Sequence, residues 1–387
     1  MRILMVHPHD IHSPAEPWTR RVKGLAKEFM KNGHEVKLAY FPLSNKNLAI
    51  HPESGYEAIP LDRTSSPPIF LKNIFRLTEL ARWADIVHFQ KCQHYASIPA
   101  VFAAYLTGKP LHYDWDDWEE MIWYESCGRK LHSRFIGFSF KVLERFLPIL
   151  SDTVSVASRG LRDLAIRFGV RQENIYPAPV GADLESFHPG IDGHHLKPAY
   201  NIRNRLVLYI GQLHGAQYID LFIKAASIVL HKDPNVAFMI VGEGFMERML
   251  KDLVYELGIE DKVIFAGSIP HHKIPEYIAA ADVCVATFRN TAVTRCKSPL
   301  KIVEYMAMGK AIVASNVGEV RNMLGGVGIL TEAGNPHALA AGILRILPDK
   351  GLQDNLGRFA RFRAERSYNW AKTASSLSMA YEKHIAK

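Results

Sequence analysis

The sequence predicts an α/β protein built from two doubly wound domains in series. Three observations lead there. The length of 387 residues exceeds what one typical core holds. Short apolar runs alternate with segments of helical period, which argues for parallel sheets covered by helices. The alternation stops and restarts across FHPGIDGHHLKPAY, residues 187–200. Residues 1–187 are therefore read as the first domain, 188–200 as a linker, 201–367 as the second domain and 368–387 as a C-terminal helix. Periodicity leaves open whether that helix packs back on the first domain.

In the first domain RILMVHP (2–8) reads as a buried strand, residues 17–32 as a helix stopped by Gly33, and HEVKLAYF (34–41) as the next strand. DIVHFQ (85–90) and PLHYDW (110–115) are strands separated by the apolar SIPAVFAAYLTG (97–108). A long helix runs through 138–150, DTVSVAS (152–158) resumes the strand pattern, and GLRDLAIRFG (160–169) is the following helix. The second series is cleaner. RLVLYIG (205–211), VAFMIVG (236–242), KVIFAG (262–267), DVCVATF (282–288) and KAIVAS (310–315) are its strands. Helices 218–232, 245–258, 274–281 and the segment from 298 to 309 lie between them. No short-period repeat suggests a solenoid.

Composition narrows the partners. A net charge of +8 favours acidic ligands. The basic residues are spread over both halves, and no RNP-like aromatic motif or zinc-finger spacing accompanies them, so nucleic acid is not expected. Four cysteines without a CxxC pair predict neither a disulfide framework nor a zinc site. The first apolar run, ILMV (3–6), is cut by His7 and Pro8 and is too short for a signal or a membrane span, so the expected location is cytoplasmic. Two stretches mix Phe, Ile and Leu with Arg and Lys at near-helical spacing: 69–83 and 129–150. They fit interfacial helices on an anionic membrane or core-facing helices with a solvated basic face.

The richest segment is RCKSPLKIVEYMAMGK, residues 295–310. Ser298 reads as an N-cap, Pro299 as the first helical residue and Gly309 as the stop. Arg295, Lys297 and Lys301 then crowd the positive end of a helix dipole. Cations there are disfavoured by roughly 0.3–1 kcal/mol each unless an anion is bound, and a phosphate is the simplest such anion. Glu304, three residues after Lys301, shares its helix face and suits the hydroxyls of a ribose. The competing reading is a solvated helix start with a Lys301–Glu304 surface pair. Ligands of doubly wound sheets bind at the carboxyl ends of strands, and two such domains in series offer a cleft between them. Strand-end candidates are therefore His7, His9, Asp10, His12, Asp85 to Gln90, Asp114, Asp116 and Asp117 in the first domain. In the second they are Gly211 to Gln217, Gly242 to Gly244 and Gly267 to His272.

In this order KNGHEVKLAY (31–40), SDTVSVASRGLRDLAIRFGV (151–170), PVGADLESFHP (179–189), VGEGFMERML (241–250), KVIFAGSIPHHKIPEYIAAADVCVATF (262–288) and SPLKIVEYMAMGKAIVAS (298–315) make the chain resemble the retaining glycosyltransferases of family 4. The resemblance covers essentially the whole length. It implies the GT-B fold of two facing Rossmann-like domains. It also implies transfer of a sugar from a UDP- or GDP-sugar held by the second domain, with retention at the anomeric carbon and no metal or other cofactor. Glu304 matches the second Glu of the family's E-x7-E motif and would hold the ribose. The implied donor-binding set is Gly211, Gln212, Gln217, Gly242, Gly244, Ile269, Arg295, Lys297, Ser298, Leu300, Lys301 and Glu304. Growing charge on the leaving diphosphate calls for such cations and backbone N–H groups.

The chain also departs from the pattern. Cys296 stands where E-x7-E has its first Glu, and Gln212 and Gln217 stand where the family carries Arg and Lys. Asp116 falls at the position of the family's catalytic His, beside Asp114 and Asp117, and a carboxylate there can take the acceptor's proton or stabilise an oxocarbenium-like transition state. A solvated acidic loop and a DxD metal site are the other readings of these aspartates. The loop from His7 to Arg21 lacks the family's paired glycines and carries Pro14, Pro17 and Trp18. The expected acceptor is a glycan, lipid-linked or protein hydroxyl in polysaccharide, glycolipid or glycoprotein assembly. Peripheral contact with an anionic membrane is included. Two further classes stay open: a nucleotide-sugar 2-epimerase, and a non-catalytic donor-binding or scaffold relative. An NAD oxidoreductase is disfavoured, because no GxGxxG follows the first strand.

Overall fold

The computed structural model describes residues 1–13, 16–44, 55–64, 66–127 and 131–385. Pro14, residues 129 and 130 of the second basic apolar stretch, and the last two residues of the tail lie outside them. The chain divides into two compact units. The first comprises Met1–Gly181, Cys296–Ser298 and Trp370–Lys387, and the second comprises Ala182–Arg295 and Pro299–Asn369.

Unit 1 is a seven-stranded parallel sheet in the order β3-β2-β1-β4-β5-β6-β7. The strands are β1 (Arg2–His7), β2 (Glu35–Tyr40), β3 (Glu57–Pro60), β4 (Ile86–Gln90), β5 (Leu111–Trp115), β6 (Thr153–Val156) and β7 (Ile175–Pro177). Its helices are α1 (Arg20–Lys31), α2 (Pro67–Trp83), α3 (His94–Thr107), α4 (Glu119–Cys127), α5 (Leu131–Leu150) and α6 (Arg159–Arg167). Helix α1 buries Val22, Leu25, Ala26 and Phe29 on one stripe and ends at Gly33, whose φ of +79° suits only glycine without strain. Helix α6 starts at Ser158, whose hydroxyl accepts the Leu161 N–H.

Strands β4 and β5 are buried throughout, so alternate side chains feed two different layers. Val87, Phe89, Leu111, Tyr113 and Trp115 join Leu77, Ala100, Leu147 and Leu161 in an apolar core with α2, α3, α5 and α6. His88, His112 and Asp114 face the other way. That layer holds α1 and the C-terminal helix α16 (Trp370–Ile385). The two helices approach closely because residue 24 is glycine: a Cβ there would sit 2.7 Å from the Trp370 ring. The tail helix thus belongs to unit 1, starting at Trp370 rather than 368.

Unit 2 is a six-stranded parallel sheet in the order β10-β9-β8-β11-β12-β13. After the short α7 (Leu196–Ala199) come β8 (Arg205–Ile210), α8 (Ile219–Lys232), β9 (Val236–Val241), α9 (Glu247–Glu256), β10 (Val263–Gly267), α10 (Ile274–Ala280), β11 (Val283–Ala286) and α11 (Ala292–Cys296). They are followed by α12 (Leu300–Ala307), β12 (Ala311–Ser315), α13 (Val320–Leu324), β13 (Ile329–Thr331), α14 (Pro336–Ile346) and α15 (Lys350–Ser367). Phe222, Phe238, Ile240 and Ile343 are fully buried in its core.

The expected linker at 188–200 is part of this unit's packing instead, and the division falls at 181/182. Phe187 and Leu196 are buried, and Lys197 bonds Asp282 at 2.8 Å beside the start of β11. Among the described residues no helix is long and apolar enough to cross a membrane.

Candidate functional site

In each unit the chain order reverses at the middle of the sheet, between β1 and β4 in unit 1 and between β8 and β11 in unit 2. Loops leaving the carboxyl ends of strands at such a reversal splay apart and leave room for a ligand.

In unit 2 this place is framed by Gly211 after β8 and Gly242 after β9. The Gly211 N–H donates to Val241 O at 2.9 Å, and the Gly242 N–H to Gly267 O at 2.8 Å. A Cβ at Gly242 would collide with Gly211 O, and one at Gly244 with Leu213 O. Side-chain-free positions are needed for the two loops to come this close. A Cβ at Gly211 would meet Lys301 Nζ at 2.5 Å, so the lysine lies directly over that glycine.

Lys301 is in the first turn of α12, but its side chain reaches back to the sheet. Its Nζ donates to Tyr209 Oη at 2.8 Å and to Gln217 Oε1 at 3.0 Å, and lies 4.0 Å from the centre of the Tyr209 ring. One turn on, the Tyr305 hydroxyl accepts the Ile210 N–H at 2.9 Å and ties α12 to the end of β8. Glu304 is 5% exposed, and its Oε1 lies 2.7 Å from His271 Nε2, which donates to it. The His271 ring packs on Phe187 with centroids 5.2 Å apart. The competing reading, a Lys301–Glu304 surface pair, does not form: the two side chains leave the helix toward different partners.

Ser298 does not cap the helix. The N-cap is Pro299, without a side-chain cap bond, and the helix starts at Leu300. The Ser298 hydroxyl instead accepts the Val180 N–H at 3.3 Å. Gly309 does end the helix, with φ +63°. Arg295 is exposed, with Nη1 3.3 Å from Asn290 Oδ1. Gln212, Ile269 and Leu300 are half-buried. Gln217, expected in the donor-binding set at the place of a family cation, holds Lys301 together with Tyr209.

Lys297 and Cys296 belong to unit 1. Cys296 is buried in that unit's apolar core, and its carbonyl accepts the Ser158 hydroxyl at 2.5 Å. Burial lowers the Lys297 ammonium below its usual range, against the pull of Asp117, Glu125 and Glu119.

The aspartates of unit 1 divide into two environments. Asp114 lies inside β5, is fully buried, and receives two bonds from Arg21 at 2.6 and 2.7 Å and one from the Ser155 hydroxyl at 2.5 Å. Burial alone would raise its pKa, but the Arg21 guanidinium overrides that and holds the carboxyl below the usual range. His88 stacks on His112 at 5.1 Å, and its Nδ1 lies 2.5 Å from Tyr381 Oη. Burial pushes His88 down to about 4, so it is neutral. These groups lock α1 and α16 onto the sheet.

Asp116 and Asp117 stand just past the end of β5. Gln90 Nε2 donates to Asp116 Oδ2 at 2.7 Å, and His7 Nδ1 donates to Gln90 Oε1 at 2.9 Å. The ends of three neighbouring strands, β1, β4 and β5, are thus joined by one chain of hydrogen bonds. His7 Nε2 is buried without a hydrogen-bond partner among the described residues, and burial holds the ring well below its usual pKa. Lys91 Nζ sits 3.2 Å from Asp116 Oδ1 and 2.5 Å from Glu119 Oε1. Lys91 is only 4% exposed and takes a left-handed φ of +68°, a strained setting for a non-glycine residue. Burial raises Asp116, opposed chiefly by Lys91. Burial pushes Asp117 up to about 7, with Lys91 opposing and Asp116 adding to the rise. The sequence alone gives no signal for Lys91, Tyr209 or Tyr305, and His271 appears there only within the strand-end range Gly267 to His272.

Comparisons with known proteins agree with this division. Residues 18–181 match the model of the glycosyl transferase 4-like domain, and residues 195–363 match that of glycosyl transferases group 1. An uncharacterised glycosyltransferase of Methanocaldococcus jannaschii is 29% identical over 184 residues, 46% of this chain and 45% of that protein. D-inositol 3-phosphate glycosyltransferase of Corynebacterium glutamicum is 24% identical over 259 residues, 64% of this chain and 60% of that protein. The chain thus spans about half the length of these curated relatives. Among solved structures, Anabaena HepE in complex with UDP and glucose superposes with a TM-score of 0.76 at 18% identity, covering 99% of both chains.

Proposed function

We infer the reaction from the premise that this chain belongs to the family 4 glycosyltransferases and has the GT-B fold. We propose that it moves a sugar from a UDP- or GDP-sugar to a hydroxyl acceptor with retention at the anomeric carbon. The observation that carries this is the pairing, on one short helix of unit 2, of Lys301 laid over Gly211 with Glu304 braced by His271.

In this reading the backbone of the Gly211 and Gly242 turns faces the diphosphate and Lys301 supplies the cation. Arg295 adds positive charge from a flanking position. The bond between the anomeric carbon and the phosphate oxygen breaks with its electron pair leaving on the diphosphate, where Lys301 offsets the growing charge. Glu304 accepts from the ribose hydroxyls while His271 keeps it oriented. The loop after β10, which carries Ile269, runs beside the nucleobase in this reading. A new bond forms from the acceptor oxygen to the same face of the sugar, and the acceptor proton goes to a base. Asp116, held by Gln90 and Lys91, is the proposed base, with Asp117 beside it. Asp114 is a positioning residue, because its carboxylate is spent on Arg21. No metal enters the scheme, since the charge role falls to the lysine.

The relative named D-inositol 3-phosphate glycosyltransferase and the UDP-bound HepE structure support a nucleotide-sugar donor. The acceptor class stays with glycan, lipid-linked or protein hydroxyls, in the cytoplasm or at the membrane's inner face. Buried Cys296 keeps a second reading, a donor-binding protein without turnover, because no carboxylate stands there for the donor sugar.

Incubation with labelled UDP- and GDP-sugars and an acceptor pool separates the readings. Release of nucleoside diphosphate with labelled acceptor of unchanged anomeric configuration supports transfer. Interconversion of sugars without release indicates a 2-epimerase, and saturable binding without turnover indicates the non-catalytic protein.

A further inference from the structure

The solvent face of α5 carries chemistry that the core and the proposed site leave unused. Phe135, Phe138, Phe146 and Leu150 are 77, 59, 52 and 60% exposed, and Val142 and Ile149 are exposed with them. At about 100° per residue, all six fall within an arc of roughly 120° that runs on the order of 20 Å along the helix. Leu147 and Glu144 cover the opposite, buried side.

Arg134, Lys141 and Arg145 are exposed and recur at i, i+7 and i+11, so they line one edge of the stripe. The only acid in α5, Glu144, is buried and receives bonds from Trp115 Nε1 and the Glu119 and Glu120 N–H groups. The exposed charge along this helix is therefore all positive among the described residues. Helix α3 packs beside α5, contains no acidic residue, and adds exposed Phe102, Tyr105 and Leu106. An exposed apolar stripe as long as that of α5 is uncommon on a free protein and marks a binding face.

We propose that α5, with α3 beside it, docks unit 1 on an anionic phospholipid bilayer. The Phe, Ile and Leu side chains enter the boundary between headgroups and acyl chains, and the cationic edge meets the lipid phosphates. Charge selects lipid over a second copy of the chain. Glu120 of α4 is half-buried beside Lys141, but the exposed edge stays net positive, and in a twofold contact through one shared face it would meet like charge. The docking stands on this surface alone and does not depend on the transferase reading.

Co-sedimentation of the full chain with vesicles tests it without any activity readout. At low salt the protein pellets with vesicles of phosphatidylcholine mixed with phosphatidylserine, stays in solution with phosphatidylcholine alone, and is released as salt rises. Arg134→Gln with Lys141→Gln lowers the partition constant by about 30-fold, because each basic residue near an anionic surface is worth on the order of 1 kcal/mol. Phe138→Ser with Phe146→Ser abolishes pelleting and leaves the melting temperature unchanged, since both rings already face solvent. Equal binding to both vesicle types, no pelleting, or a solution dimer that Phe138→Ser with Phe146→Ser dissociates would each overturn the proposal.

Discussion

Replacing Lys301 with methionine keeps the length of the side chain and removes its charge. In the free protein the ammonium bonds Tyr209 Oη and Gln217 Oε1 and sits over the Tyr209 ring. Losing these contacts costs about 1–3 kcal/mol of stability. At roughly 2–4 °C per kcal/mol for a unit of this size, the variant melts a few degrees lower but folds. With a nucleoside diphosphate bound, the variant also lacks a charge-assisted bond of about 1.5–3 kcal/mol, equivalent to on the order of 10–150-fold in Kd. Calorimetric titration with UDP and GDP, run beside uridine and guanosine, isolates that bond because the nucleosides carry no diphosphate. The expected result is a large loss for the diphosphates and little change for the nucleosides. Unchanged diphosphate affinity, or an equal loss for diphosphate and nucleoside, would refute the role of Lys301.

Glu304→Ala weakens ribonucleoside diphosphate binding by about 10–100-fold with little change in melting temperature, and the loss disappears with a dideoxyribose analogue. Equal loss for both ligands in titration would remove the ribose role. Asp116→Asn lowers turnover while donor affinity holds; wild-type turnover returns the residue to a structural part. Burial raises Asp117 from the ordinary carboxylate range to about 7, so the native protein holds this proton more tightly than the unfolded chain. Its contribution to stability accordingly declines as pH climbs from about 4 toward 7, and turnover that needs the ionised pair rises through pH about 7. A rate–pH profile checks this, and Asp117→Asn flattens that limb. Arg21→Met strands the buried Asp114 carboxylate and costs roughly 3–5 kcal/mol in urea unfolding; a loss below about 1 kcal/mol, the scale of an exposed pair, contradicts the reading of that ion pair as buried.

Strand and helix order was legible because buried parallel strands write themselves as apolar runs and each helix as a stripe. The strand-end glycines were legible for a similar reason, since their position after an apolar run marks a tight backbone turn. Long-range pairing was not. Lys301 and Glu304 share a helix face in sequence, yet one side chain is drawn to β8 and the other to His271, partners 92 and 33 residues away. The capping pattern at Ser298 is sound locally, but its hydroxyl serves the Val180 N–H, 118 residues earlier. The run DWDD conceals a strand end. Asp114 is the last-but-one residue of β5 and points into the layer of α1, whereas Asp116 has already left the sheet. Lys91 carried no signal at all, because a left-handed lysine is visible only in three dimensions. The stretch 187–200 reads as a linker by its Pro, Gly and His content, while buried Phe187 and Leu196 bind it into unit 2.

Hydrogen–deuterium exchange of the full chain, with and without a saturating nucleoside diphosphate chosen by thermal shift, locates the donor directly. A donor held at the carboxyl end of the unit 2 sheet slows exchange in residues 211–217, 242–244, 267–272 and 299–304 together. Protection confined to other segments, or none despite measurable binding, would contradict the assignment of Lys301 and Glu304 to the donor.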